Sequence, residues 1–191
     1  ARIVPQFRMP RNCILCRTES TIYYLQSTND TTDRTNDIAT MLSTYGICNL
    51  GPGPFYVEGL QMPDGTALRG CGTSSRLTLI SGNNKYAVKM GSRTQISDMW
   101  VYGLGSAPSA SDEVGTRDGI LWQGTYTADE TAPSRGYLSN LYISGFNGSG
   151  IKLTDTGTPI SNNLEAVNCV VTNCGIGINI AYSKDDILDI V

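Results

Sequence analysis

Histidine is absent from this 191-residue chain, and that absence removes a large part of enzyme chemistry. Without an imidazole, neither Ser/His/Asp nor Cys/His catalysis exists in its ordinary form. Charge is also scarce: 16% of residues are Asp, Glu, Lys or Arg, against about 25% in an ordinary soluble domain. The net charge of −3 gives no field for nucleic acid phosphates, so no nucleic-acid partner is expected. No apolar run reaches the roughly 18 residues of a membrane-spanning helix, so no membrane insertion is expected either. Pro5 and Pro10, with Arg8 and Arg11 nearby, interrupt any signal-peptide core. Glycine-rich pieces such as Gly70-Cys71-Gly72 are not followed by Gly-Lys-Ser/Thr, so they are not phosphate loops.

Cysteine is present but poorly arranged for metal. Cys13 and Cys16 form one C-x-x-C, while Cys48, Cys71, Cys169 and Cys174 are scattered. A four-ligand zinc site would need two of the distant cysteines to converge on that pair, and no metal site is expected. Cys71 and Cys169 sit in apolar, strand-like runs, where a reduced thiol behaves as a small hydrophobe. Reduced thiols fit synthesis in a cytoplasm.

Gly, Thr, Ser and Asn take the place of the missing charge. They suit turns and short strands and suit long helices poorly. Residues 1–34 read as an arm that docks onto something: Arg2, Arg8, Arg11 and Arg17 precede the first acid, Glu19, and Tyr23-Tyr24-Leu25 forms a short apolar patch. One short helix follows. Thr35 or Asn36 is placed to cap it, and Asp37 suits its positive end. Ile38, Met41, Leu42 and Tyr45 recur at helical spacing, and Gly46 stops it.

Beyond the helix a strand pattern recurs. Residues 95–101, 137–143 and 163–169 each carry an apolar residue, two intervening residues, a second apolar residue and an alternating third. A second strand follows each, in Val88-Lys89-Met90, Ile120-Leu121-Trp122, Ile151-Lys152-Leu153 and Ile178-Asn179-Ile180. The excess length between repeats falls in loops at 102–118 and 123–136, as solenoid logic requires. Alternation predicts inward columns Ile96/Leu138/Leu164, Met99/Leu141/Val167, Val101/Ile143/Cys169 and Val88/Ile120/Ile151/Ile178. It predicts outward columns Trp100/Tyr142/Asn168, Ser97/Ser139/Glu165 and Lys89/Leu121/Lys152/Asn179. Asp98 and Asn140 fall at one bend, with Ala166 as the third member, and are expected to bond the backbone of the next coil there. Trp122 points inward.

The stretch 35–42 resembles the helix that caps pectate-lyase-like β-helices. The Gly/Pro turn and strand of 51–57 resemble the strand after it, and Met62-Pro63-Asp64-Gly65 through Gly72 resembles a first full coil. The resemblance covers about residues 35–180 and extends to bacteriophage tail spikes, which carry this fold. It implies an all-β, right-handed parallel β-helix over 35–191, with a capping helix and an N-terminal arm, continuing past the apolar end Ile187-Leu188-Asp189-Ile190-Val191 or covered there by a partner. It also implies a virion protein, made in the bacterial cytoplasm, that attaches to other tail proteins through the arm. Such spikes are trimers that engage host-surface polysaccharide. Enzymes of this family carry paired acids, or a calcium-binding carboxylate group with an arginine, on outward strand faces. The outward positions here offer no such pair, so no catalytic residue is carried over.

Two chemistries remain open. Trp100, Tyr102, Tyr142 and Tyr126, with Arg117 and Arg135, are candidates for contact with a glycan or a neighbouring subunit, since aromatic rings serve both. Asp112, Glu113, Asp129 and Glu130 lie in the two long loops; two carboxylates about 5–9 Å apart are the minimum for glycoside hydrolysis. Solvated surface acids are the bland alternative, and Ca2+ is an alternative occupant of such loops. A binding spike, a polysaccharide depolymerase (hydrolase or lyase) and a bacterial surface adhesin are therefore the competing readings.

Overall fold

The structure is a computed structural model and describes residues 15–17, 23–80, 86–104, 117–124, 135–155, 163–180 and 187–190. Strands β1 (Leu15–Arg17) and β2 (Tyr23–Leu25) precede helix α1 (Thr35–Tyr45). From there the chain runs in coils. The first holds β3 (Ile47–Leu50), β4 (Gly53–Val57) and β5 (Leu60–Gln61); the second holds β6 (Ala67–Arg69), β7 (Ser75–Leu79) and β8 (Tyr86–Met90). In the third, β9 (Thr94–Tyr102) bends at Asp98 and serves two faces before β10 (Asp118–Gly124). The fourth repeats this with β11 (Arg135–Ser144) and β12 (Ser149–Asp155). The fifth holds β13 (Asn163–Val167), β14 (Val170–Thr172) and β15 (Ile176–Ile180), and β16 (Ile187–Ile190) stacks on β13.

Equivalent strands pair in parallel from coil to coil. One face runs β2-β3-β6-β9-β11-β13-β16, a second runs β4-β7-β9-β11-β14, and a third runs β5-β8-β10-β12-β15. The chain is thus a mostly parallel β-solenoid. Strand alternation sends one residue in two to the interior. Leu68, Ile96 and Leu138 are in register and fully buried, as are Leu77, Val101 and Ile143. On the third face Leu60, Val88, Ile120 and Ile151 form the equivalent column, extended by half-buried Ile178. Trp122 is 1% exposed and fills the interior beneath Gly136, where a Cβ would come within 2.9 Å of its ring.

The bend between the first two faces has a specific cause. Asp98, Asn140 and Asn168 adopt φ of 57°, 54° and 52°, the left-handed region that short polar side chains tolerate best after glycine. Their side chains then join up: Asn140 Nδ2 donates to Asp98 Oδ1 at 2.9 Å, and Asn168 Nδ2 donates to Asn140 Oδ1 at 2.8 Å.

This ladder corrects the expected register of the fifth coil. Asn168, not Ala166, is the third bend residue. Leu138 pairs with Ala166, Gly136 with Leu164 and Tyr142 with Val170. The expected columns through Leu164, Val167 and Cys169 were therefore two residues out, and Val170 replaces Asn168 beside Tyr142. Ser97 and Ser139, expected outward, are 2% and 8% exposed because the following bend folds them into the corner. Cys71 is exposed in a turn rather than buried in a strand.

Helix α1 buries Ile38, Met41 and Leu42 and ends on Gly46, whose N–H donates to the Leu42 carbonyl at 2.9 Å. Tyr45 lies off that face and is exposed. Neither Thr35 nor Asn36 is the cap: the helix starts at Thr35 with Arg34 in the capping position, where its N–H is held by the Tyr56 carbonyl at 2.7 Å. Asp33 receives the Thr35 N–H at 2.9 Å, and Asp37 pairs with the buried Arg34 Nε at 2.6 Å. Strand β2 runs parallel to β3, with Leu25 opposite Leu50 and fully buried.

Candidate functional site

The outer surface of the first face carries a groove of about 450 Å³. Strand alternation builds it. Thr94 and Ile96 turn inward, so Gln95 turns outward, with exposed Arg93 in the turn just before it; Gly136 and Leu138 turn inward, so Arg135 and Tyr137 turn outward. Thr94 pairs with Gly136 and Gln95 with Tyr137, and Arg93 and Arg135, which precede these pairs on successive coils, line the same groove. Tyr137 in turn pairs with Glu165, and Glu165 with Asp189. The groove therefore presents two exposed arginines at one side and the exposed Glu165 at the other, with Gln95 and half-buried Tyr137 between. Arg69 Nη2 donates to Gln95 Oε1 at 3.4 Å and holds that amide from the previous coil. Among the described residues, the ion pairs are Arg34–Asp37 and Lys152–Asp118, and no carboxylate pairs with either groove arginine.

The expected aromatic cluster forms on the second face. Trp100 and Tyr142 are register partners with ring centroids 5.7 Å apart, and Tyr102 lies 5.1 Å from Trp100. The Trp100–Tyr142 planes meet at 78°, edge to face, so the rings pack on one another instead of forming one flat platform. Arg76 is the register partner of Trp100 on the preceding coil, with its guanidinium 5.3 Å from the Trp100 ring and 5.7 Å from that of Tyr102. Trp100 Nε1 donates to Ser144 Oγ at 2.9 Å. A smaller depression of about 240 Å³ opens beside Trp100 and Arg76, against Pro54 and Ser74.

The remaining candidates divide cleanly. Arg117 is half-buried and donates to the Ile80 carbonyl at 3.2 Å, tying two coils together. Arg135 stands in the groove. Asp112, Glu113, Tyr126, Asp129 and Glu130 lie outside the described residues. Among the described residues, no group of three or more His, Cys, Asp or Glu is placed to hold a metal, and no helix is long and apolar enough to cross a membrane. Burial pushes the thiols of Cys169 and Cys174 above their ordinary value of 9.0, away from nucleophilic character.

Reading by repeats passed over Arg93, Gln95 and Tyr137 as a site. The signal was available: Arg93-Thr94-Gln95 and Arg135-Gly136-Tyr137 open their strands at the same offset from the bend residues Asp98 and Asn140.

No protein-family model matches the chain, and no curated protein matches it. Among solved structures, it is similar to the enzymatically active domain of tailspike protein 2 of bacteriophage CBA120. The TM-score is 0.56 at 16% identity, over 85% of this chain. The chain spans 28% of that structure's length, and the likeness is one of fold: a tailspike-like β-solenoid.

Proposed function

We propose that this chain is part of a bacteriophage tail spike that recognises host-surface polysaccharide, and that it belongs to the virion. In this reading the solenoid is a right-handed β-helix whose first coil is capped by α1. The N-terminal arm attaches to other tail proteins, and three copies assemble. The observation that carries the reading is the groove crossing the third, fourth and fifth coils, with Tyr137 at its centre and Gln95, Arg135 and Glu165 around it. An extended glycan matches a groove that crosses several strands. Its ring faces suit an aromatic side chain, and its hydroxyls suit amides, guanidiniums and carboxylates. The tailspike-like fold supports the same reading.

A second reading is a depolymerase, for which Glu165 gives a specific footing. It is an exposed carboxylate in the groove, and Asp189 holds the opposite register position on the adjacent strand. The two acids thus hold neighbouring backbone positions on paired strands, and a pair of carboxylates is the chemistry that glycoside hydrolysis needs.

The test is binding of the full chain to purified bacterial surface polysaccharides, followed by titration calorimetry. Tyr137→Ala is expected to weaken binding about tenfold or more, in line with loss of an aromatic anchor. Unchanged affinity in that variant, with the fold intact by circular dichroism, would remove the groove from the reading. Release of new reducing or unsaturated ends, lost in Glu165→Gln, would establish cleavage; bound polysaccharide that stays intact would leave a binding protein.

A further inference from the structure

Two like charges line the groove, Arg93 and Arg135. Arg93, in the turn just before β9, and Arg135, the first residue of β11, precede the register partners Thr94 and Gly136 and line the same groove. Like charges gathered at one site repel each other unless an anion joins them. Among the described residues no carboxylate pairs with either arginine. Arg93 also occupies a backbone φ of 56°, a conformation that glycine or asparagine would adopt more cheaply. Both side chains are exposed among the described residues. Both line the same groove as Tyr137 and Gln95.

From this pair we infer that the groove is selective for an acidic polysaccharide, with Arg93 and Arg135 as the joint seat of a sugar carboxylate. The inference rests on the polysaccharide-binding reading and adds the ligand's chemical class. Guanidinium presents its N–H donors in a planar fork that matches a carboxylate, and two forks from adjacent coils surround one anion. The bound anion relieves the repulsion between the two arginines. Glu165 sits on the far side of the groove, in the Tyr137 column, and repels a second carboxylate there. Charge therefore orients the ligand: the acid group goes to the arginines, the ring to Tyr137, and neutral hydroxyls to Gln95 and Glu165.

The experiment uses the full chain and a panel of acidic and neutral bacterial surface polysaccharides, each acidic one in its native form and after reduction of its carboxyl groups to alcohols. Expected is binding to at least one acidic member, weakened about tenfold or more by carboxyl reduction. Arg135→Gln and Arg93→Asn are each expected to cause a similar loss on the native form and little change on the reduced form. Asparagine is chosen at 93 because it tolerates the positive φ. Arg135→Lys is expected to recover only part of the affinity, since it keeps the charge and loses the fork. Equal affinity for native and reduced forms, or binding only to neutral members, would overturn the inference while leaving the polysaccharide reading in place. Binding to no member of the panel would overturn both.

Discussion

At the scale of single residues, the fold depends on three side chains that face solvent. Asp98, Asn140 and Asn168 combine a left-handed backbone with a chain of side-chain hydrogen bonds. These two contributions are separable. Asn140→Gly keeps the backbone and loses both bonds; Asn140→Ala loses the bonds and strains the backbone as well. Alanine is expected to destabilise by about 1–2 kcal/mol more than glycine, the cost of a left-handed residue bearing a Cβ. Urea unfolding of the two variants checks this, and equal midpoints would show that the bend does not constrain φ. The ladder also marks where sequence reading succeeded and where it slipped. Asp98 and Asn140 were legible as a bend because both break the alternation of their strands. Asn168 was missed because Leu164 and Val167 gave an equally good apolar match. Side-chain direction repeats every two residues, so a two-residue slip preserves inside and outside, and hydrophobicity alone cannot detect it. Only the polar partner one coil away decides.

At the scale of elements, the coils differ in how well each is covered. The four inner columns are closed as far as the fourth coil, whereas Cys169, Val171, Cys174 and Ile178 of the fifth are only partly buried. Two of these are thiols whose protonated form burial favours. The sign follows from linkage. The folded value is above the unfolded 9.0, so this contribution is complete below pH 9 and is lost as pH rises through the folded values. Unfolding midpoints measured at about pH 8 and about pH 10.5 are expected to fall with pH in the parent chain. The fall should be smaller in a Cys169→Ala, Cys174→Ala double variant. An identical slope in both would assign the pH dependence to other groups. Element order was readable from the sequence, since turns, helix and strand repeats each leave a local signature. The groove was not, because its residues come from three coils, with Gln95 opposite Tyr137 and Tyr137 opposite Glu165, and meet only once the register is known.

At the scale of the whole molecule, the proposal of a trimeric spike makes a direct prediction. Light scattering on the full 191-residue chain is expected to give three times the mass of 20.6 kDa. A monomer would mean that this stretch presents its groove without forming the threefold assembly, and avidity would then have no part in its binding. Exposed Val170, 51% accessible and in the same outward column as Trp100 and Tyr142, is a natural place for a subunit contact. Substituting it by a charged residue should shift the measured mass if it lies between copies.

The in-register stacking has a consequence for how such a chain grows and shrinks. Ile96 and Leu138, Met99 and Leu141, Val101 and Ile143 occupy equivalent places one coil apart, and so do Ile120 and Ile151. A deletion running from Asp98 up to Asn140 would therefore remove one whole turn of the spiral and rejoin the chain at a matching point. The neighbours on either side would each meet a side chain of the kind they met before. Length in this architecture is thus adjustable in whole coils. A gene that duplicates or loses such a segment changes how far the molecule reaches without having to solve the folding problem again.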